Sequence, residues 1–239
     1  HMKKVSCAVL GVGRLGQWHA TNLATQINGA ELVSVADPNK ERVERAAKLF
    51  NTAKYTTNSN AVLEDPHIDA VIIATPTKTH ADIIKKAAQR GKHIFVEKPL
   101  TETVADADDV IATLEQADVV CQVGFMRRFD PAYIEAKNKI AKGDIGQPIY
   151  FKSISRDPIS PPERFIKNSG GIFIDMAIHD YDAARFLMDT EVLTVSAHGS
   201  VLKNEFMRKY NDVDQALTYL TFVSGATGDT ESSRNAIYG

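Results

Sequence analysis

The sequence predicts an α/β chain in two parts: a doubly wound parallel sheet over residues 3–124, then an α+β domain with an open, mostly antiparallel sheet over residues 125–239. Three observations carry that prediction. Short apolar runs alternate with helical patterns from Val5 to Val123, the rhythm of β-α-β units. A glycine triplet joins the first run to the first helix. Past Gly124 the alternation gives way to strand candidates with short connections, as antiparallel pairing requires.

Residues 5–10 have strand character and run straight into Gly11-x-Gly13-x-x-Gly16, and residues 17–24 read as a helix. Gly11 is expected to permit the tight turn, Gly13 to let a pyrophosphate approach the backbone, and Gly16 to let helix pack on strand. The helix start offers unpaired N–H groups and roughly half a positive charge, which suits an anionic dinucleotide. Arg14 and Leu15, inside the triplet, are expected to bind cofactor with the glycines. A second strand, residues 31–36, ends in Asp37, where a carboxylate would accept hydrogen bonds from an adenosine ribose; Asp37 also reads as the start of an Asp-Pro-Asn turn before a helix over 40–50. A carboxylate beside a 2'-phosphate would repel it by about 4 kcal/mol per unit charge at ~4 Å and an effective dielectric near 20. NAD is therefore expected over NADP.

Residues 51–60 are polar and turn-rich, and a short helix over 61–64 precedes Asp65-Pro66. The apolar run 70–74 suits a strand buried on both faces, with Thr75 and Pro76 at its carboxyl end, where open α/β sheets bind ligands. Thr77 is a plausible N-cap for a helix over 78–90 that Gly91 closes. His80, in its first turn, reads as an exposed or capping group, with ligand contact the alternative. A strand over 93–96 leads to Glu97-Lys98-Pro99, where the proline holds the backbone of Lys98 away from the helical region and aims its ammonium; a plain surface lysine is the equal alternative. A helix over 101–117 and a buried strand over 119–123 complete the alternation.

In the second part, Asp130-Pro131 opens a helix to about Lys142 that Gly143 and Gly146 close. Residues 148–156 alternate as a strand does, and Asp157 to Pro162 cannot be a central strand. Further strands are expected over 193–202, 215–223 and 230–238. Between them, residues 170–182 lead into a helix ending near Met188. At about 100° per residue, Asp175 and His179 would lie some 40° apart on it, one turn from each other. An aspartate that accepts from one imidazole nitrogen leaves the other as a base; an acid at a helix start with a buried histidine is the alternative. Asp180 and Asp182 are expected to face solvent or cap neighbours.

At 239 residues, two cores are affordable by size. The formal charge of −2, with both signs interspersed, leaves no electrostatic footprint for nucleic acid or an anionic membrane. Cys7 and Cys121 have no pairing or metal-ligand spacing and read as small core residues in a reducing compartment. No metal site is expected. No apolar run approaches the ~18 residues of a membrane span, no signal peptide is visible, His1-Met2 reads as an expression scar, and a cytoplasmic location is expected.

Four motifs occur in order: Gly11-x-Gly13-x-x-Gly16-x-x-His19, Ala74-Thr75-Pro76-x-x-x-His80, Glu97-Lys98-Pro99 and Gly171-x-x-x-Asp175-x-x-x-His179. Together they resemble the glucose-fructose oxidoreductase, inositol dehydrogenase and MocA family. The stretches 124–128, 155–158 and 171–180 are most similar to its myo-inositol 2-dehydrogenases. The resemblance implies a Rossmann domain, an open sheet domain that associates into a homotetramer, and NAD-dependent oxidation of a cyclitol or polyol ring hydroxyl. It implies that Lys98 polarises the reacting oxygen, His179 is the general base and Asp175 supports it, with Arg127, Asp157 and Tyr238 facing substrate, Arg127 also near cofactor. Thr75, Pro76, His80 and Glu97 would lie on the nicotinamide side. A related sugar or scyllo-inositol oxidoreductase is the nearest alternative; a non-catalytic NAD-binding sensor and a folded fragment that binds NAD without turnover are the others. Family members continue for several more strands, so this chain is expected to lack part of the second sheet.

Overall fold

The structure, a computed structural model, describes residues 3–52 and 54–236. The chain divides into two compact units, 1–124 and 125–239. In the first, β1 (Val5–Leu10) is followed by α1 (Arg14–Thr25), β2 (Ala30–Ala36), α2 (Lys40–Phe50), β3 (Lys54–Thr56), α3 (Ser59–Glu64), β4 (Ala70–Ile73), a 3₁₀ turn (Thr77–Thr79), α4 (His80–Gln89), β5 (His93–Val96), α5 (Val104–Glu115) and β6 (Cys121–Val123). The six strands form one sheet in the order β3-β2-β1-β4-β5-β6, and every pair is parallel.

Alternation along β1 sorts the core into two layers. Ala8 and Leu10 pack with Ile83, Ile84 and Val110, whereas Cys7 and Val9 pack with Ala20, Leu23, Val43 and Ala46. The winding reverses between β1 and β4, so their carboxyl ends open a crevice that no crossover covers.

Local chemistry sets the helix ends. Asn39 caps α2 by accepting from the Arg42 amide, and Thr103 caps α5 by accepting from Asp106. Thr77 makes no such cap bond: it opens a 3₁₀ turn, and α4 begins only at His80. Two further expectations fail. The polar stretch 51–60 contains β3, which gains its order from pairing with β2. Residues 119–123 do not form a fully buried strand, because β6 is the sheet's edge, with Val120 exposed and Cys121 half-buried.

The second unit opens with a 3₁₀ turn (Met126–Phe129), then α6 (Pro131–Ala141), β7 (Tyr150–Arg156), α7 (Glu163–Ile166), α8 (Ile172–Asp175), α9 (Ile178–Met188), β8 (Val192–Ser200), a 3₁₀ segment (Glu205–Tyr210), β9 (Gln215–Phe222) and β10 (Thr227–Ser233). Asp130 caps α6 through the Ala132 amide, with Pro131 in its first turn. The four strands lie in the order β7-β10-β9-β8; β8-β9 and β9-β10 are antiparallel, and β10-β7 is parallel. The last strand expected at 230–238 begins and ends earlier.

One face of this sheet packs Phe151, Leu220 and Phe222 against Ala183, Ala184 and Met188 of α9. Toward the ends of β7 and β10 the same face turns hydroxylic, with Ser153, Thr230 and Ser232. On the other face Tyr150, Ile154, Leu217 and Tyr219 are exposed.

Candidate functional site

In the first unit the glycine turn has the geometry a dinucleotide needs. Gly11 has φ +84, and a Cβ there would lie 2.7 Å from the Ala74 carbonyl oxygen at the end of β4. At Gly16 a Cβ would fall 1.7 Å from the Gly11 oxygen, so only glycine lets α1 sit this close. Gly13 faces open space, and α1 starts with no side-chain cap and no acid in its first turn. Arg14 and Leu15 are exposed at that start. A bare amide terminus beside an uncluttered glycine fits a pyrophosphate.

Asp37 is buried beside this turn. Its Oδ2 accepts from the Val12 amide at 3.0 Å, its Oδ1 from the Asn39 amide at 2.9 Å, and the Arg42 guanidinium stands 3.2 Å away. The carboxylate therefore pins the glycine loop and forms the Asp-Pro-Asn turn at once.

Three residues frame the end of β5. Glu97 meets His19 of α1 at 2.7 Å, and the His19 ring lies against Phe95 at 5.0 Å. Lys98 is half-buried, and the peptide bond to Pro99 is cis. His80 is neither exposed nor a cap. It is 1% exposed, with Nδ1 2.9 Å from the Pro99 oxygen and Nε2 2.9 Å from the Thr75 oxygen. The ring thus spans the turn after β4 and the turn that carries Lys98, and a neutral imidazole can donate to only one of the two carbonyls. Both ring nitrogens are engaged within the protein. Thr75 is linked through its hydroxyl to Thr79 at 2.7 Å.

In the second unit the expected single helix is broken. Gly171, with φ +90, starts α8, whose first amide, that of Ile172, donates to Asp212 Oδ1 at 2.8 Å. The Ile172 carbonyl then accepts from both Met176 and Ala177, which widens the turn, and α9 restarts at Ile178. Asp175 ends one helix and His179 lies in the first turn of the next, so the 40° estimate for a continuous helix does not describe them. Both are half-buried.

Asp180 and Asp182 overturn their expectation: both are buried. Asp180 takes Arg127 at 2.6 Å, and Asp182 takes Arg128 in a two-pronged pair at 2.7 to 3.0 Å. The hydrogen bond to Asp182 holds the Arg128 guanidinium above its usual range. The partners are more than fifty residues apart, which sequence spacing cannot reveal. Arg127 also donates to Ser155 at 3.1 Å.

Asp157 and Asp175 are brought together by a residue the sequence reading missed. Arg234, 2% exposed just after β10, donates through Nη1 to Asp157 at 3.0 Å and through Nη2 to Asp175 at 3.2 Å. Its guanidinium lies 5.8 Å from the Phe165 ring centre. The only sequence signal was an arginine at the end of a strand otherwise lined with small hydroxyl residues. Tyr238 lies outside the described residues. Among the described residues no cluster of His, Cys, Asp and Glu could hold a metal ion, and no helix is long and apolar enough to cross a membrane.

Comparison with known proteins places both units. Residues 5–125 match the family described as oxidoreductase family, NAD-binding Rossmann fold, and residues 133–239 match the GFO/IDH/MocA C-terminal domain. The chain is 56% identical over 236 residues to the scyllo-inositol 2-dehydrogenase (NAD(+)) of Bacillus subtilis, covering 99% of this chain and 69% of that protein. It is 42% identical over 231 residues to the myo-inositol 2-dehydrogenase of Thermotoga maritima, covering 97% of this chain and 69% of the relative. A crystal structure of scyllo-inositol dehydrogenase from Lactobacillus casei with bound NAD(H) and scyllo-inositol matches with a TM-score of 0.91 at 31% identity, over 99% of this chain and 72% of that one. With a glycine turn that leaves room for a pyrophosphate and both halves of the chain matched, this protein belongs to the GFO/IDH/MocA family of oxidoreductases and carries its NAD-binding Rossmann fold.

Proposed function

We propose that this chain oxidises a ring hydroxyl of an inositol to the ketone with NAD as hydride acceptor, residues 3–124 holding the cofactor and residues 125–239 supplying most of the groups that meet substrate. The observation that carries this reading is the 56% identity, over nearly the whole chain, to an NAD-dependent inositol 2-dehydrogenase. Gly11, Gly13, Arg14, Leu15 and Gly16 would seat the pyrophosphate and Asp37 the adenosine ribose, with Thr75, Pro76, Glu97 and Arg127 toward the nicotinamide. His80 supports that side from behind, by tying Thr75 to Pro99.

His179 removes the hydroxyl proton, a task suited to an imidazole near neutral pH. Lys98 donates to the oxygen as charge develops on it, the electrostatic work of a positioned ammonium. Asp175 orients the base, and Asp157 and Tyr238 contact the ring hydroxyls. Bound NAD supplies the electron sink, and the protein supplies placement. Myo- and scyllo-inositol differ only in configuration at one carbon, so oxidation there gives one ketone from either. The most similar relative named above acts on scyllo-inositol, which supports that isomer beside the myo-inositol expected from sequence. The exposed apolar side chains Tyr150, Ile154, Leu217 and Tyr219 on the outer face of the second sheet support association of copies into a homotetramer, and the two free cysteines fit a reducing, cytoplasmic setting.

The test is His179→Ala, with NAD binding followed by fluorescence of Trp18 and turnover measured on myo-inositol, scyllo-inositol and an aldose. Turnover should fall by about 10²- to 10⁴-fold with NAD binding intact. Unchanged turnover would remove the proposed base, and preference for the aldose would remove the cyclitol reading.

A further inference from the structure

We infer that Arg234 is a positioning residue for the reaction: a buried guanidinium that holds the carboxylates of Asp157 and Asp175 together while substrate is bound and the proton leaves. The assignment of a reaction to this site rests on the function proposed above; the clamp itself rests on geometry.

A guanidinium is a rigid plane with its donors in a fixed fork. Here one prong reaches Asp157, in the segment that follows β7, and the other reaches Asp175, at the end of α8. The carboxylates are eighteen positions apart in sequence and partly open, with side-chain exposures of 32% and 21%, whereas the cation between them is 2% exposed. The buried partner is thus the bridge, and the exposed partners are the groups placed to meet a ligand.

Arg234 is itself anchored. Its amide donates to the Asp214 carbonyl at 2.9 Å, and Phe165 lies under the guanidinium. β7 and β10 pair in parallel with Arg156 opposite Ser233, which sets Asp157 and Arg234 next to each other beyond the last rung, and Asp157 closes the ladder by donating its own amide to the Ser233 carbonyl at 2.8 Å. Without the cation, two close carboxylates disfavour each other's ionisation, and the pair would retain a proton or move apart.

Arg234→Met and Arg234→Lys are compared with wild type and with Asp175→Asn in three measurements: the pH profile of kcat/KM on an inositol, double-mutant coupling between positions 234 and 175 in urea unfolding, and crystal structures. In Arg234→Met the acid limb of the profile is expected to move up by roughly one pH unit, about a tenfold loss at the acid end. Arg234→Lys should recover most of it, the 234–175 pair should couple, and the Asp157 and Asp175 carboxylates should separate in the Met variant. The same limb in Met and wild type, or a loss that lysine does not repair, overturns the positioning role. Absence of coupling together with unmoved carboxylates overturns the clamp even if no inositol is a substrate. Wild type inactive on every inositol, with coupling and separation intact, overturns only the proposed reaction, and the clamp stands on the other two readouts.

Discussion

Asp214→Asn isolates a single buried carboxylate whose removal should unsettle the second unit. Asp214 is fully buried; Oδ2 accepts from the Lys203 and Asn204 amides at 2.8 Å each, Oδ1 accepts from Leu202 at 2.9 Å, and its carbonyl accepts from Arg234. Asparagine keeps one acceptor oxygen. In its better orientation the amide retains Lys203 and Asn204 and turns an NH₂ toward the Leu202 N–H. A hydrogen bond to a charged group contributes about 1.5–3 kcal/mol, and a stranded buried donor costs about 1–3 kcal/mol, so the substitution should cost about 3–5 kcal/mol in total. That is a large share of the ~5–15 kcal/mol that holds a domain folded. Urea unfolding read by tyrosine fluorescence is the assay, because six of the seven tyrosines lie in residues 125–239.

The pH dependence carries a sign. Burial alone would raise the Asp214 carboxyl, but the amides of Asn204, Leu202 and Lys203 outweigh it and hold it below the ordinary value. A carboxyl lowered on folding contributes stability above its unfolded value, near 3.9, and loses it as the pH falls through the folded value. The gap between wild type and variant should therefore be flat from about pH 5 to 8 and shrink below about pH 4. A gap under about 1 kcal/mol at neutral pH, or one that widens in acid, refutes the reasoning.

Two further outcomes are expected. Gly16→Ala places a carbon 1.7 Å from the Gly11 oxygen and should abolish NAD binding followed through Trp18; an unchanged Kd would show that the turn can shift without loss. Burial, helped by Asp69 and Glu31, pushes the Cys7 thiol up to about 11, and burial alone takes Cys121 to about 11, so both should react with a disulfide reagent at pH 8 roughly 100-fold more slowly in the native protein than in urea. Equal rates would contradict that.

Much of the first unit could be read directly, because its information is local. Period-two and period-3.6 patterns, the glycine triplet and the acid after the second strand each lie within about thirty residues, and the alternation leaves little choice of winding. The edge strands were harder to place: β3 is three residues of polar sequence that becomes a strand only beside β2. In the second unit local signals were not enough. The four-residue spacing of Asp175 and His179 is the same in a continuous helix and in one interrupted at Met176, and the interruption depends on which amides the Ile172 carbonyl accepts. The burial of Asp180 and Asp182, and the bridging by Arg234, depend on partners far along the chain that only the folded sheet brings near. Asp37 is a middle case: an acid that ends a strand and an acid that opens an Asp-Pro-Asn turn look alike in sequence, and the fold gives its carboxylate the turn contacts without removing it from the end of β2.

The parallel rung between β7 and β10 has a consequence for how this unit can change. A hairpin would return the chain to the opposite rim, whereas co-directional strands deliver both termini to one rim, so Asp157 and Arg234 become neighbours although seventy-seven positions separate them. The intervening excursion through α7, α8, α9, β8 and β9 can therefore lengthen at outlying bends such as the one at Asp189 without altering the spacing of that acid and its cation. Variation in the excursion and constancy at the rim are separable properties of the same chain.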